Sequence, residues 1–208
     1  MTIDLQFPLL STHAVPADHG YLLYSAVSRL LPELHADNGY GIHPIRGQQL
    51  GGRTLQLTEA SRLIIRTDAN CIAQFLPLAG KTLQLLDRRL CIGVPQVRGL
   101  IPAPALRSRL VTIKLKEAAE NAGEPAAETF AASARRQLDV LGISPESQLH
   151  LGKRRTLRIK DKEVVGYEVL IEQLTADESL GVQEHGLGGR RHMGCGIFVP
   201  FRTRATEE

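Results

Sequence analysis

The run Thr2-Ile-Asp-Leu-Gln-Phe-Pro-Leu9 alternates apolar with polar side chains, whereas His19-Gly-Tyr-Leu-Leu-Tyr-Ser-Ala-Val-Ser-Arg-Leu-Leu31 does not. Ile3, Leu5 and Phe7 set against Asp4 and Gln6 have the period of two that a half-buried strand needs. Leu22, Leu23, Ala26, Val27, Leu30 and Leu31 instead recur along one stripe of a helix. Asp18, just after Pro16, is a candidate N-cap. Pro32 lacks the N–H that a helical ladder requires, so it ends the helix and leaves Glu33-Leu-His35 in an exit turn. A strand followed by a helix is the first step of the fold.

The pattern continues in the same style. Residues 39–46 and 53–66 read as strands, with Leu55/Leu57 and Leu63/Ile65 setting the period. Asp68 caps a second helix carrying Ile72, Phe75, Leu76 and Ala79, which Gly80 stops. Residues 82–98 give further strands about a turn at Asp87-Arg-Arg89. The order β-α-β-β-α-β is that of the ferredoxin-like or RRM-like unit. Pro95 to Pro104 reads as a linker, and the order then recurs. A strand is expected over 109–116, and a helix over 125–142 with Phe130, Ala134, Leu138 and Leu141 inward. A hairpin over 153–160 and 163–172 follows, then a short helix behind the capping box Thr175-Ala-Asp-Glu178, and last a strand from Ile197 to Phe201. The expected fold is α+β, two tandem ferredoxin-like (RRM-like) βαββαβ domains over residues 1–98 and 105–208.

With 208 residues, 43% of them hydrophobic, the chain can bury a substantial core. No apolar run is long enough to cross a membrane, and the first residues lack a basic region followed by an apolar one, so no signal peptide is expected. Cys71, Cys91 and Cys195 are unclustered, which fits a reducing cytoplasm rather than a disulfide framework. His192-x-x-Cys195 has ligand-like spacing but no second ligand pair, so no metal and no other cofactor is expected.

Before the last strand comes Gly186-Leu-Gly-Gly-Arg-Arg-His-Met-Gly-Cys-Gly196. Its glycines permit positive φ and close backbone approach, and successive N–H groups there could form an anion-binding nest. Arg190 and Arg191 add guanidinium forks that match phosphate oxygens. The run is neither a Walker loop, since no Gly-Lys-Ser/Thr occurs, nor a dinucleotide fingerprint, since Arg191 stands where the third glycine belongs. Net charge is only +3, but cations gather in Lys153-Arg-Arg-Thr-Leu-Arg-Ile-Lys160 and in Arg135-Arg136, while Glu117, Glu120, Glu124 and Glu128 gather elsewhere. A basic face offset by an acidic stretch fits a polyanion-binding surface; solvated charge on ordinary faces is the plainer alternative.

These residues together resemble the CRISPR-associated repeat-processing endoribonucleases, sixth among the Cas families. The glycine-rich loop through Met193-Gly-Cys-Gly196 is similar to that family's hallmark loop, Val15-Pro-Ala-Asp-His-Gly-Tyr-Leu-Leu-Tyr-Ser-Ala-Val27 is similar to its entry into the first helix, and Leu34-His35 follows as in several members. The resemblance implies metal-independent cleavage of CRISPR repeat RNA. The 2′-hydroxyl attacks the adjacent phosphate, giving a 2′,3′-cyclic phosphate and a 5′-hydroxyl. It also implies retention of the mature crRNA and association with other Cas proteins of a type I effector complex.

RNA carries its own nucleophile, so the protein must hold it in line and move two protons. The resemblance favours His35 as the catalytic imidazole, with His19 second. Other members place the histidine within the helix, where this chain has Tyr24, and Ser28 falls near a helper tyrosine of some members. His43 reads as a strand residue, and His13, His150 and His185 as loop residues. For RNA grip the candidates are Lys153, Arg154, Arg155 and Arg158 on the hairpin, Gly188, Gly189, Arg190, Arg191 and His192 on the loop, and Arg135 and Arg136 facing the phosphates of a repeat stem-loop. A non-cleaving RNA-binding subunit and an unrelated scaffold protein of the same fold remain as alternatives.

Overall fold

The computed structural model describes residues 1–35, 39–114 and 127–202, with the side chain of His35 outside that description. The chain divides into two compact units. The first holds Met1–Gly99, Leu157–Lys162 and Arg191–Gly194, and the second holds Leu100–Thr156, Glu163–Arg190 and Cys195–Glu208.

In the first unit, β1 (Thr2–Pro8) buries Ile3, Leu5 and Phe7 as its alternation requires. After β2 (Ala14–Pro16) comes α1 (Gly20–Leu30), whose Leu23, Ala26 and Val27 face the core. Asp18 does not cap it: the N-cap is His19, with no side-chain capping bond. The reason lies in the fold, because the Asp18 carboxylate accepts the backbone N–H of Arg158 at 2.9 Å instead. Pro32 stops the helix as expected, and a 3₁₀ turn, Pro32–His35, follows.

The expected strand over 39–46 shrinks to β3 (Gly41–Ile42). That over 53–66 breaks into β5 (Thr54–Gln56) and β6 (Arg62–Asp68), with β4 (Gln48–Gly51) preceding both. Ser61 causes the break: its buried hydroxyl donates to the Arg46 carbonyl and accepts from the Thr58 N–H, closing a turn. Asp68 caps the next segment through the Asn70 N–H. That segment is mostly 3₁₀ turns around one helical turn, α2 (Ile72–Phe75). The hairpin β7 (Thr82–Leu85) and β8 (Arg88–Cys91) leads to β9 (Gln96–Gly99), which falls at the end of the strands expected over 82–98 and runs into the start of the expected linker.

The main sheet runs β3-β6-β1-β9, with every neighbouring pair antiparallel. The first strand is central, flanked by third and fourth, with the second at the edge; this is the ferredoxin-like arrangement. A small sheet β2-β5-β4 and the hairpin β7-β8 are added to it.

The second unit repeats that order as β11-β12-β10-β13, built from β10 (Leu106–Val111), α3 (Ala127–Val140), β11 (Gln148–Ile159), β12 (Lys162–Glu172), α4 (Ala176–His185) and β13 (Val199–Pro200). Phe130, Ala134 and Leu138 of α3 are buried, as the helical spacing predicts. The Thr175–Glu178 capping box is formed in both directions. The expected ends at 115–116 and 125–126, like Glu117, Glu120 and Glu124, lie outside the described residues. Each unit has its own apolar core, one around Leu5, Phe7, Leu63 and Phe75, the other around Phe130, Val169, Ile171 and Phe198.

Among the described residues no helix is long and apolar enough to cross a membrane.

Candidate functional site

The glycine-rich stretch is a closed turn, not an open nest. The N–H groups of Gly188 and Gly189 are taken by the Gln137 side-chain oxygen and the Thr112 carbonyl. Those of Leu187, Gly194, Cys195 and Gly196 go to the carbonyls of Gly196, Arg191, Arg190 and Leu110. Expected anion-binding donors at Gly188 and Gly189 are therefore committed to the fold, although both residues are exposed. What the loop offers a ligand is the side chains of Arg190, Arg191 and His192, all half-buried.

Those side chains stand on a firmly seated backbone. Arg191–Met193 form a 3₁₀ turn. At the start of α1, a Cβ on Gly20 would lie 2.3 Å from the Met193 carbonyl oxygen, so only glycine lets the helix approach this turn. Gly194 has φ +83°, and a Cβ there would press on Pro44 and the Ile42 carbonyl. The His192 ring packs against Tyr24 of α1, with centroids 4.5 Å apart and planes tilted by 53°. A basic turn and a helix-borne phenol thus meet around one imidazole.

His19 plays a structural part. It is buried, its Nδ1 lies 2.9 Å from the Pro16 carbonyl and its Nε2 accepts the Ile45 N–H at 2.9 Å. This fixes the Nδ1–H tautomer, and both ring nitrogens serve backbone groups, which leaves neither to move a substrate proton. Ser28 is buried too, with its hydroxyl inside the core, and so is removed from any substrate. His35 closes the 3₁₀ turn after α1.

His43 sits buried beside Asp4 and Arg66. Arg66 grips Asp4 with two hydrogen bonds, 2.8 and 3.0 Å, from the strand position directly opposite. The His43 Nε2 lies 3.4 Å from the same carboxylate, a contact too long to count as a well-formed hydrogen bond. Burial would raise the Asp4 pKa, but His43 and Arg66 outweigh it and hold the carboxyl well below its usual range. For His43, burial and the nearby arginines lower the pKa despite the Asp4 charge, so the ring is neutral.

The basic residues divide in a similar way. Arg135, expected at phosphates, is spent on the protein: it bonds Asp139 at 2.8 Å, the Ile143 carbonyl at 2.8 Å and the Ser147 hydroxyl at 2.9 Å, tying the end of α3 to the following loop. Arg155 bonds Glu168, whose other oxygen takes Arg107 at 2.7 Å. Burial raises the Glu168 pKa, but the two guanidinium groups more than offset it, and the carboxyl stays ionised. Lys153, Arg154 and Arg158 are exposed on β11. Arg136 lines an open groove of about 490 Å³ with Lys114, Gln137, His185 and Gly188. Among the described residues no three His, Cys, Asp or Glu side chains converge as metal ligands would.

The family model described as Cas6 Crispr matches residues 3–203. The chain belongs to the Cas6 family. It is 42% identical over 198 residues to a protein of Myxococcus xanthus (strain DK1622) named CRISPR-associated endonuclease Cas6, covering 95% of this chain and 81% of that one. Among solved structures it resembles a CRISPR associated protein Cas6, with TM-score 0.66 and 14% identity over 97% of this chain and 99% of the other. It also resembles an RAMP protein binding different RNA substrates, with TM-score 0.68 and 13% identity over 97% and 100%. At such identities the structural likeness speaks for the fold, and both Cas6 ferredoxin-like units of the chain share in it. The contacts that sequence reasoning could not find are those of His19. Its partner Ile45 stands 26 positions away, and nothing local marks the pairing.

Proposed function

We propose that the chain is an endoribonuclease that cuts CRISPR precursor RNA within its repeats. The observation that carries this reading is the closed glycine turn of a Cas6 chain, which bears Arg190 and Arg191 next in sequence to His192, whose ring packs against Tyr24. The arginines hold the scissile phosphate, and the 2′-hydroxyl attacks it in line once His35 takes its proton. Guanidinium charge steadies the phosphorane as it builds up. The products are a 2′,3′-cyclic phosphate and a 5′-hydroxyl, and no step in this scheme draws on a metal ion. Lys153, Arg154 and Arg158 bind phosphates of the repeat stem-loop, which is read mainly by shape and charge. Arg136, with Lys114, supplies a second cationic strip. The cut crRNA stays bound and passes with the protein to other Cas proteins of a type I effector complex.

The test is incubation with the repeat RNA of a neighbouring CRISPR array in EDTA. One cut with a cyclic phosphate end is the expected result. Tight binding without a cut would favour the non-cleaving RNA-binding subunit, and cutting that requires added magnesium would overturn the metal-independent scheme.

A further inference from the structure

Cleavage by 2′-hydroxyl attack needs a proton donor for the departing 5′-oxygen, and we propose that His192 is that donor, with Tyr24 positioning its ring. The inference rests on the ribonuclease reading above and assigns a role that reading leaves empty.

His192 lies between the two loop arginines and Gly194, on a backbone turn whose seat is fixed by the close packing of Gly20 on the Met193 carbonyl. The Gly194 N–H bonds the Arg191 carbonyl at 3.0 Å across the turn. The ring is half-buried and leans on Tyr24 at 4.5 Å. A group on a rigid turn, with its rotamer limited by an aromatic neighbour, is pre-organised for proton transfer.

The other described imidazoles are occupied elsewhere. His19 serves two backbone groups, and His43 is sealed beside Asp4 and Arg66. His150 faces Glu172 at 3.3 Å, and His185 bonds the Gly181 carbonyl. His13 is exposed ahead of β2, where its carbonyl accepts the Leu57 N–H.

The scheme above gives the base role to His35, so the role left for His192 is the acid, which it fills in its protonated form. An imidazolium can give a proton but cannot take one. In the step, the O2′–P bond forms while the P–O5′ bond breaks. The 2′-hydroxyl proton passes to the base, and the His192 N–H proton passes to the 5′-oxygen. The base ends protonated and His192 neutral, and exchange with water restores both.

The experiment is single-turnover cleavage of the repeat RNA by the full chain, alongside the same RNA with sulfur replacing the bridging 5′-oxygen at the cut. A thiolate leaves without a proton. His192→Ala and His192→Gln are expected to slow the ordinary RNA by about 10²–10⁴-fold, to cut the sulfur RNA at close to the wild-type rate, and to bind both within a few-fold of wild type. His35→Ala is expected to slow both RNAs alike. Tyr24→Ala is expected to slow the ordinary RNA with relief by sulfur, and Tyr24→Phe to restore it. His192 variants equally slow on both RNAs, or unimpaired on the ordinary one, would overturn the donor role. Wild-type protein that cuts neither RNA would instead overturn the ribonuclease reading itself.

Discussion

The imidazole of His19 accepts the backbone N–H of Ile45 at 2.9 Å while its other nitrogen holds the Pro16 carbonyl. One side chain thereby fixes the segment before α1 to the segment after β3. His19→Ala leaves both backbone groups without a partner, at a cost of about 2–4 kcal/mol in total. The urea midpoint should fall accordingly, while the folded fraction still cuts RNA at the wild-type rate. A variant of full stability that has lost cleavage would put His19 back into the chemistry.

Acid should weaken the first unit in two stages. His43 is held neutral in the folded chain, whereas the unfolded chain takes up a proton near the ordinary value of 6.5. The unfolded state thus binds more protons, and stability falls as pH drops through that value. Asp4 resists protonation when folded but protonates near 3.8 when unfolded, so its contribution is complete above that value and is lost below it. Urea titrations across the range read both limbs, and His43→Leu should remove the upper one. A flat curve between about pH 7.5 and about pH 5.5 would contradict the assignment.

Gly20→Ala drives a methyl group to 2.3 Å from the Met193 oxygen. The helix or the turn must yield, and His192 moves with it. Misplacement on the order of 1 Å costs about 10²-fold in rate. RNA affinity, which rests on arginines spread over a wider face, should change only a few-fold. Filter binding and single-turnover cleavage measured on one preparation separate the two effects.

Two arginines should respond in opposite ways. Arg135→Ala removes bonds to Asp139, Ile143 and Ser147 and should cost about 1–3 kcal/mol of stability, leaving the salt dependence of RNA binding unchanged. Arg190→Ala should leave stability alone and flatten the plot of log affinity against log salt by about 0.7. Equal salt slopes in both variants would remove Arg190 from the phosphate grip.

Much of the architecture could be read from local pattern. The alternation in β1, the stripe of α1, the Thr175 capping box and the hairpin of β11 and β12 each follow from residues a few positions apart. The bounds of β9 were blurred between the strands expected over 82–98 and the linker expected from Pro95, because Gln96–Gly99 is an exposed edge strand with no alternation of buried apolar residues. The break at Ser61 escaped notice because a serine hydroxyl bonded to Arg46 looks like any other serine in sequence. The site was half legible. Arginine and glycine content marked the loop, but whether its N–H groups face a ligand or the fold depends on Gln137, Thr112 and Leu110, all distant along the chain. The meeting of Tyr24 with His192 has the same origin and the same obscurity.

Because Arg191–Gly194 and Leu157–Lys162 belong to the same compact unit as Met1–Gly99, a reading frame cut short after codon 99 would encode a product missing both segments. Expressing the halves as separate genes would therefore divide the Tyr24–His192 pair between two polypeptides, and fusion partners or affinity tags are better joined at the chain ends than inserted near the middle.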